Sequence, residues 1–168
     1  MKKLKCLFIE IILITLSFSS IYGQELDEKL KLLEPFTNKL WEAEIPRFGE
    51  GAKMEIMWEV MWEGKVIKET GELKILNYTF ETYYYWDFNK QEIGVFSIHS
   101  NGNFSHGHVK EEDGKILVYG YGTLPDKKLE FRNTFEFTED GKLLDKYFRF
   151  EDGEWKAGHS RIFYEQKE

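Results

Sequence analysis

The residues Met54-Glu-Ile-Met-Trp-Glu-Val-Met-Trp-Glu63 alternate strictly: Met54, Ile56, Trp58, Val60 and Trp62 fall on one face, and Glu55, Glu59 and Glu63 share the other with Met57 and Met61. A period of two describes a strand with one face on a core and the other largely in water. Gly64-Lys65 follows at once, and the segment from Lys65 to Lys74 has the pattern to fold back as a hairpin. The same unit recurs to the C-terminus, which predicts strands near 38–46, 54–63, 65–75, 78–87, 92–100, 103–111, 115–123, 128–138, 142–151 and 154–165. Gly64-Lys65, Asn101-Gly102, Asp113-Gly114, Asp140-Gly141 and Asp152-Gly153 supply joints that tolerate positive φ, so neighbours in sequence become neighbours in the sheet. A long twisted sheet with no helices to cover it loses its edges by closing on itself. The expected fold is therefore all-β, an up-and-down antiparallel meander barrel of about 8–10 strands, with a two-sheet sandwich as the alternative.

The chain begins with Lys2, Lys3 and Lys5, an apolar run from Cys6 to Phe18, and the small-residue exit Ser-Ser-Ile-Tyr-Gly23. That is the order of a cleaved secretion signal over residues 1–23, although Glu10 interrupts the apolar run and an uncleaved anchor is the other reading. Residues 24–36 carry Leu26, Leu30 and Leu33 at helical spacing before Pro35, a short capping helix, and residues 37–168 form the barrel domain. The one cysteine, Cys6, leaves with the signal, so packing alone must hold the mature chain, as suits a bacterial periplasm or surface. A net charge of −7, more negative once the N-terminal lysines are removed, disfavours nucleic acid and anionic lipid as partners.

Propagating the inner face through two-residue turns places Trp62 opposite Ile67, and Val60 opposite Glu69. Tyr78, Phe80, Tyr84 and Trp86 share a face, as do Leu129, Phe131, Asn133, Phe135 and Phe137. Carried through Asp140-Gly141, the register sets Phe137 on Leu144, Phe135 on Lys146, Asn133 on Phe148 and Phe131 on Phe150. Carried on through Asp152-Gly153, it sets Phe150 on Trp155, Phe148 on Ala157, Lys146 on His159 and Leu144 on Arg161. Aromatic walls with Glu69, Lys146, His159 and Arg161 among them describe a cavity for an apolar body with an anionic head. The competing reading is that Glu69 pairs internally with Lys146 or Arg161, or that a bulge turns these charges to water. An aromatic content of 17% exceeds what filling a small barrel demands and favours a cavity or an exposed aromatic surface.

The architecture, with Trp41 in Asn38-Lys-Leu-Trp-Glu42 on the first strand and Arg161 in Gly158-His-Ser-Arg-Ile-Phe-Tyr164 on the last, resembles the lipocalin-like barrels of the calycin group, in particular their uncharacterised bacterial members. The resemblance spans residues 37–165 and implies that Arg161 packs over Trp41 as a structural latch. Lys39 stands where that group usually has a glycine, and the Arg-x-Tyr of fatty-acid-binding barrels is not matched because Phe163 follows Arg161.

His99, His106 and His108 bracket Asn101-Gly102. A two-residue turn puts all three on one face, in reach of a common metal or haem iron, whereas a three-residue loop puts His99 on the opposite face. The register carried forward through Phe88–Gln91 turns them inward, whereas the register carried back from Leu129 puts Ile98, Val109 and Val118 inside instead. No nucleophile elbow, phosphate loop, dinucleotide fingerprint or helical His-Glu-x-x-His occurs, so the sequence names no catalytic residue or cofactor. Tyr83 and Tyr85 alternate with Tyr84 and Trp86 and would form an outer contact surface for a protein or glycan. The leading expectation is a secreted or periplasmic, non-catalytic binder of a small apolar or amphipathic molecule. Trp58, Trp62, Tyr84, Trp86, Phe131 and Phe135 would line its cavity, with Lys146 and His159 at the polar end. The alternatives are a closed barrel that binds a macromolecule through its aromatics and a metal- or haem-dependent barrel built on the three histidines.

Overall fold

A computed structural model describes residues 25–124 and 127–166; the predicted signal, residues 1–23, lies outside them. Ten strands follow one another in a single antiparallel meander: β1 (Leu40–Glu44), β2 (Lys53–Met61), β3 (Val66–Leu73), β4 (Tyr78–Asp87), β5 (Glu92–His99), β6 (Phe104–Glu112), β7 (Lys115–Leu124), β8 (Lys127–Phe137), β9 (Leu143–Glu151) and β10 (Glu154–Gln166). Each pairs with its neighbour in sequence, and β1 pairs with β10 through Leu40–Gln166 to Glu42–Tyr164, which closes the barrel. Among the described residues no strand edge is left free, and the sheet closes as a barrel rather than as the sandwich alternative.

One end is plugged. A 3₁₀ helix over Glu28–Phe36 starts at Asp27, whose side chain accepts from the Lys29 amide (3.0 Å). Asp27 is itself tied to the β2–β3 turn by its amide on the Gly64 carbonyl (3.1 Å). The helix was expected to stop before Pro35 but runs through it to Phe36, because proline's fixed φ suits a 3₁₀ turn and only one amide bond is forgone. Leu30, Leu33 and Phe36 are fully buried in the barrel mouth. The Phe36 ring stacks on Trp58 (4.9 Å), and Trp58 stacks on Tyr84 (4.8 Å) with Phe135 against its edge (6.3 Å). These four rings make an aromatic floor across the barrel. On the far side of it, at the end bearing the β1–β2, β3–β4 and β5–β6 loops, the interior is not filled.

Four local departures from ideal hairpins decide which side chains face that interior. The β2–β3 connection has four residues, Trp62 to Lys65, with Trp62 and Glu63 both left-handed (φ 50° and 57°), and the last ladder pair is Met61–Val66. Two extra residues keep the parity, so Glu69 remains inward, but Trp62 leaves the strand and is 67% exposed. At β5–β6 the His99 amide bonds the Asn103 carbonyl (3.0 Å) around a three-residue loop, and the register moves by one. The β8–β9 loop likewise has three residues, Glu139 to Gly141. It is held by the Thr138 amide on the Lys142 carbonyl (2.9 Å) and by the Thr138 hydroxyl on Asp140 (2.6 Å). Phe135 therefore pairs with Asp145 rather than Lys146, and Asn133 with Tyr147 rather than Phe148.

The fourth departure is a bulge in β10. Trp155 pairs with Phe150 and Ala157 with Phe148, as the sequence reading has it, but Ser160 then pairs with Lys146, so Gly158 and His159 together oppose Tyr147. A side chain at Gly158 would place its Cβ 2.5 Å from the Tyr147 ring, which is why this position is glycine. The bulge returns His159, Arg161 and Phe163 to the inner face.

Candidate functional site

The unfilled half of the barrel is a cavity of about 350 Å³, opening at the end opposite the plug. Its walls are largely apolar, from Phe80, Val95, Val118, Leu129, Phe131 and Phe163, with Tyr84 and Phe135 at the floor. Set into these walls are polar groups that strand alternation alone would put in a core. Most of them are satisfied in pairs. Thr82 Oγ1 and Ser97 Oγ share a hydrogen bond (2.7 Å), and Tyr78 Oη meets His99 Nδ1 (2.6 Å). Asp145 accepts from Asn133 Nδ2 (3.1 Å) on one oxygen and faces His159 Nε2 (3.1 Å) with the other, while Tyr147 stacks on the His159 ring (5.2 Å).

Two charged groups are less well provided for. Glu69 is 6% exposed, receives the Tyr84 hydroxyl on Oε2 (2.8 Å), and has no cation in ion-pair range among the described residues. Burial, with Asp145 adding repulsion against the help of the Tyr84 hydrogen bond, pushes its carboxyl up to about 8, so it is neutral at pH 7. Arg161 pairs across the ladder with Asp145 and is half-buried at the cavity wall, yet its guanidinium makes no hydrogen bond or salt bridge to any described residue. Burial lowers its pKa, Asp145 opposes that, and Arg47 from the β1–β2 loop and Tyr78 lie near enough to be felt. Burial also holds His99 below its ordinary value and Tyr78 and Tyr147 above theirs, which keeps all three neutral at pH 7.

Of the side chains expected in the cavity, Tyr84, Phe131, Phe135 and His159 line it. Trp58 sits beneath it, fully buried between Phe36 and Tyr84. Trp62 is on the surface in its four-residue turn, and Trp86 packs at the plugged end with Lys29 Nζ over its ring (4.5 Å). Lys146 points out of the barrel, paired with Ser160 and Thr134, because the three-residue β8–β9 loop exchanges it for Asp145. The same slip, undone by the bulge, leaves His159 and Arg161 inside, so two offsets of one residue cancel there.

The latch is not formed. Trp41 is fully buried and donates Nε1 to the Phe36 carbonyl (3.3 Å), and the cation over its ring is Lys39 (5.5 Å). Trp41 pairs with Glu165, four residues along β10 from Arg161, which faces the cavity instead. The three histidines do not converge either: the three-residue β5–β6 loop turns His99 inward, while His106 and His108 lie outside against Tyr121 and Tyr119. The described residues contain no group of three His, Cys, Asp or Glu placed to hold a metal. Tyr83 and Tyr85 are on the outer face, where Tyr83 donates its hydroxyl to Glu81 and the Tyr85 ring lies over Gly94. Asp145 and Tyr147 line the cavity without having been singled out, while Tyr78, which shares a face with Phe80 and Tyr84 in the sequence reading, lines it as that face requires. The Thr138-x-Asp-Gly-Lys142 spacing, with a threonine positioned to brace a longer loop, is the signal that would have brought Asp145 inside.

No family model matches this chain, and no curated protein matches it. Among solved structures it is similar to Rv2717c from M. tuberculosis, with a TM-score of 0.50 and 11% identity over 85% of this chain and 100% of that one. That likeness is one of fold.

Proposed function

We propose that the barrel is a non-catalytic binder of a small amphipathic molecule with an anionic end, lipocalin-like in its mode of action and working outside the cytoplasm. The observation that carries this reading is Arg161: a half-buried guanidinium on the wall of a largely apolar cavity, with no hydrogen-bonding partner among the described residues. A charge taken out of water is costly unless paired, and the Asp145 beside it is already engaged by Asn133 and His159. A carboxylate, sulfonate or phosphate would supply the missing charge-assisted bonds while its apolar part lay against Phe80, Leu129 and Phe131. A volume of about 350 Å³ is at the small end of ligand pockets. The basic and then apolar residues 1–18 support an extracytoplasmic site of action.

The test pairs two fluorescent probes of nearly the same shape, anilinonaphthalene sulfonate and the uncharged N-phenylnaphthylamine. Both should brighten on binding, and Arg161→Gln should weaken the sulfonate at least tenfold while changing the neutral probe little. Absence of binding by either probe, or equal losses for both in the variant, would refute the reading.

A further inference from the structure

Glu69 occupies the inner end of the cavity. It is bonded to Tyr84 at the aromatic floor, whereas the Arg161 guanidinium feels Tyr78, six residues back along β4 toward the mouth, and Arg47 of the β1–β2 loop, with Asp145 felt by both Arg161 and Glu69. Only Oε2 of its carboxyl is used by the protein, through the Tyr84 hydroxyl. The other oxygen has no partner among the described residues, and Glu69 is one of the side chains lining the cavity. Among the described residues no cation pairs with this carboxyl, and the charge it feels is that of another carboxyl, Asp145, on β9. A carboxyl so placed keeps its proton. Tyr84 already donates to one oxygen, so the proton sits on the other, on a side chain that lines the cavity together with Phe135, Val95 and Val118. A buried donor without an acceptor costs more than a made hydrogen bond gains, so the site is built to receive one.

Resting on the reading of the cavity as a binder of anionic amphiphiles, we infer that Glu69 is a hydrogen-bond donor to the ligand. The molecule taken up is then an anion that carries a neutral oxygen acceptor, a ketone or a comparable carbonyl, at the end remote from its charge. Arg161 on the mouth side and Glu69 at the floor read the two polar groups, and the apolar wall of Phe80, Leu129 and Phe131 facing the Asp145 cluster reads the linker between them. A simple hydrocarbon tail leaves the Glu69 donor unmet, and a dicarboxylate would put a second negative charge beside Asp145. The cavity thus discriminates against both.

Displacement of bound anilinonaphthalene sulfonate at about pH 6 compares decanoic acid with the same chain bearing a ketone next to its terminal methyl. The keto acid should bind about tenfold tighter to the wild-type protein, and Glu69→Leu should bring the two acids to equal affinity. Equal affinities in the wild type, or a preference that survives in Glu69→Leu, would overturn the assignment of Glu69 while leaving the binding reading standing. Failure of both acids to displace the probe would sink the binding reading and this inference with it. Should the leucine variant not fold, the wild-type ratio decides alone: tenfold supports the inference and unity overturns it.

Discussion

Replacing Glu69 by glutamine should stabilise the protein at high pH and leave it nearly unchanged at low pH. In the unfolded chain a glutamate titrates near 4.5, and in the barrel burial raises this one to about 8. Below 4.5 both states hold the proton and Glu69 imposes no charge penalty. Between 4.5 and about 8 the unfolded state releases its proton and the folded state does not, so wild-type stability falls by about 1.4 kcal/mol per pH unit. Above about 8 the folded carboxyl ionises too and the loss levels off at a ceiling of about 5 kcal/mol. Glutamine has nearly the same shape, accepts the Tyr84 hydroxyl, and never charges, so it escapes this loss. Urea unfolding of the two proteins from pH 5 to pH 9 provides the assay, and the difference between them cancels the ionisations that do not involve Glu69. The curves should lie within about 1 kcal/mol at pH 5 and diverge by several kcal/mol by pH 9, with equal m-values. Parallel curves across that range would refute the claim that Glu69 is a neutral acid buried in the fold.

Trp58→Ala, which removes the ring stacked between Phe36 and Tyr84, should cost about 3–5 kcal/mol in denaturant unfolding. Gly158→Ala forces a methyl group against the Tyr147 ring and should cost about 1–3 kcal/mol in the same assay, with a matching loss of probe binding as the bulge shifts His159 and Arg161. By contrast, Lys146→Ala, on the outer face, should leave probe affinity unchanged in fluorescence titration. Trp62→Ser, in an exposed turn, should move stability by no more than about 0.5 kcal/mol.

The strands and their order were legible because alternation and turn residues are local properties, and β2 to β10 each carry them. What alternation cannot convey is the length of a connection, and one residue more or less exchanges the two faces of every strand beyond it. Asp140-Gly141 and Asn101-Gly102 are good two-residue turns by composition, yet both sit inside three-residue loops. Thr138 bonds across its loop to Lys142 and Asp140, and the Asn101 carboxamide caps the Asn103 amide (3.0 Å). These bonds moved Lys146 out and Asp145 in, and separated His99 from His106 and His108. The bulge at Gly158 is invisible to a period-two reading because its cause, the Tyr147 ring, lies on the neighbouring strand. The resemblance that paired Trp41 with Arg161 failed for a related reason: in this chain the indole is covered by Lys39 and bonded to the Phe36 carbonyl of the plug, which leaves the guanidinium free to face the cavity.

The most direct measurement of the central claim is native mass spectrometry of the mature protein purified from the organism that makes it, followed by extraction of whatever travels with it. The account expects one small anionic molecule per chain, retained in Lys146→Ala and depleted in Arg161→Gln. A bare polypeptide mass, together with no uptake of either naphthalene probe, would contradict it.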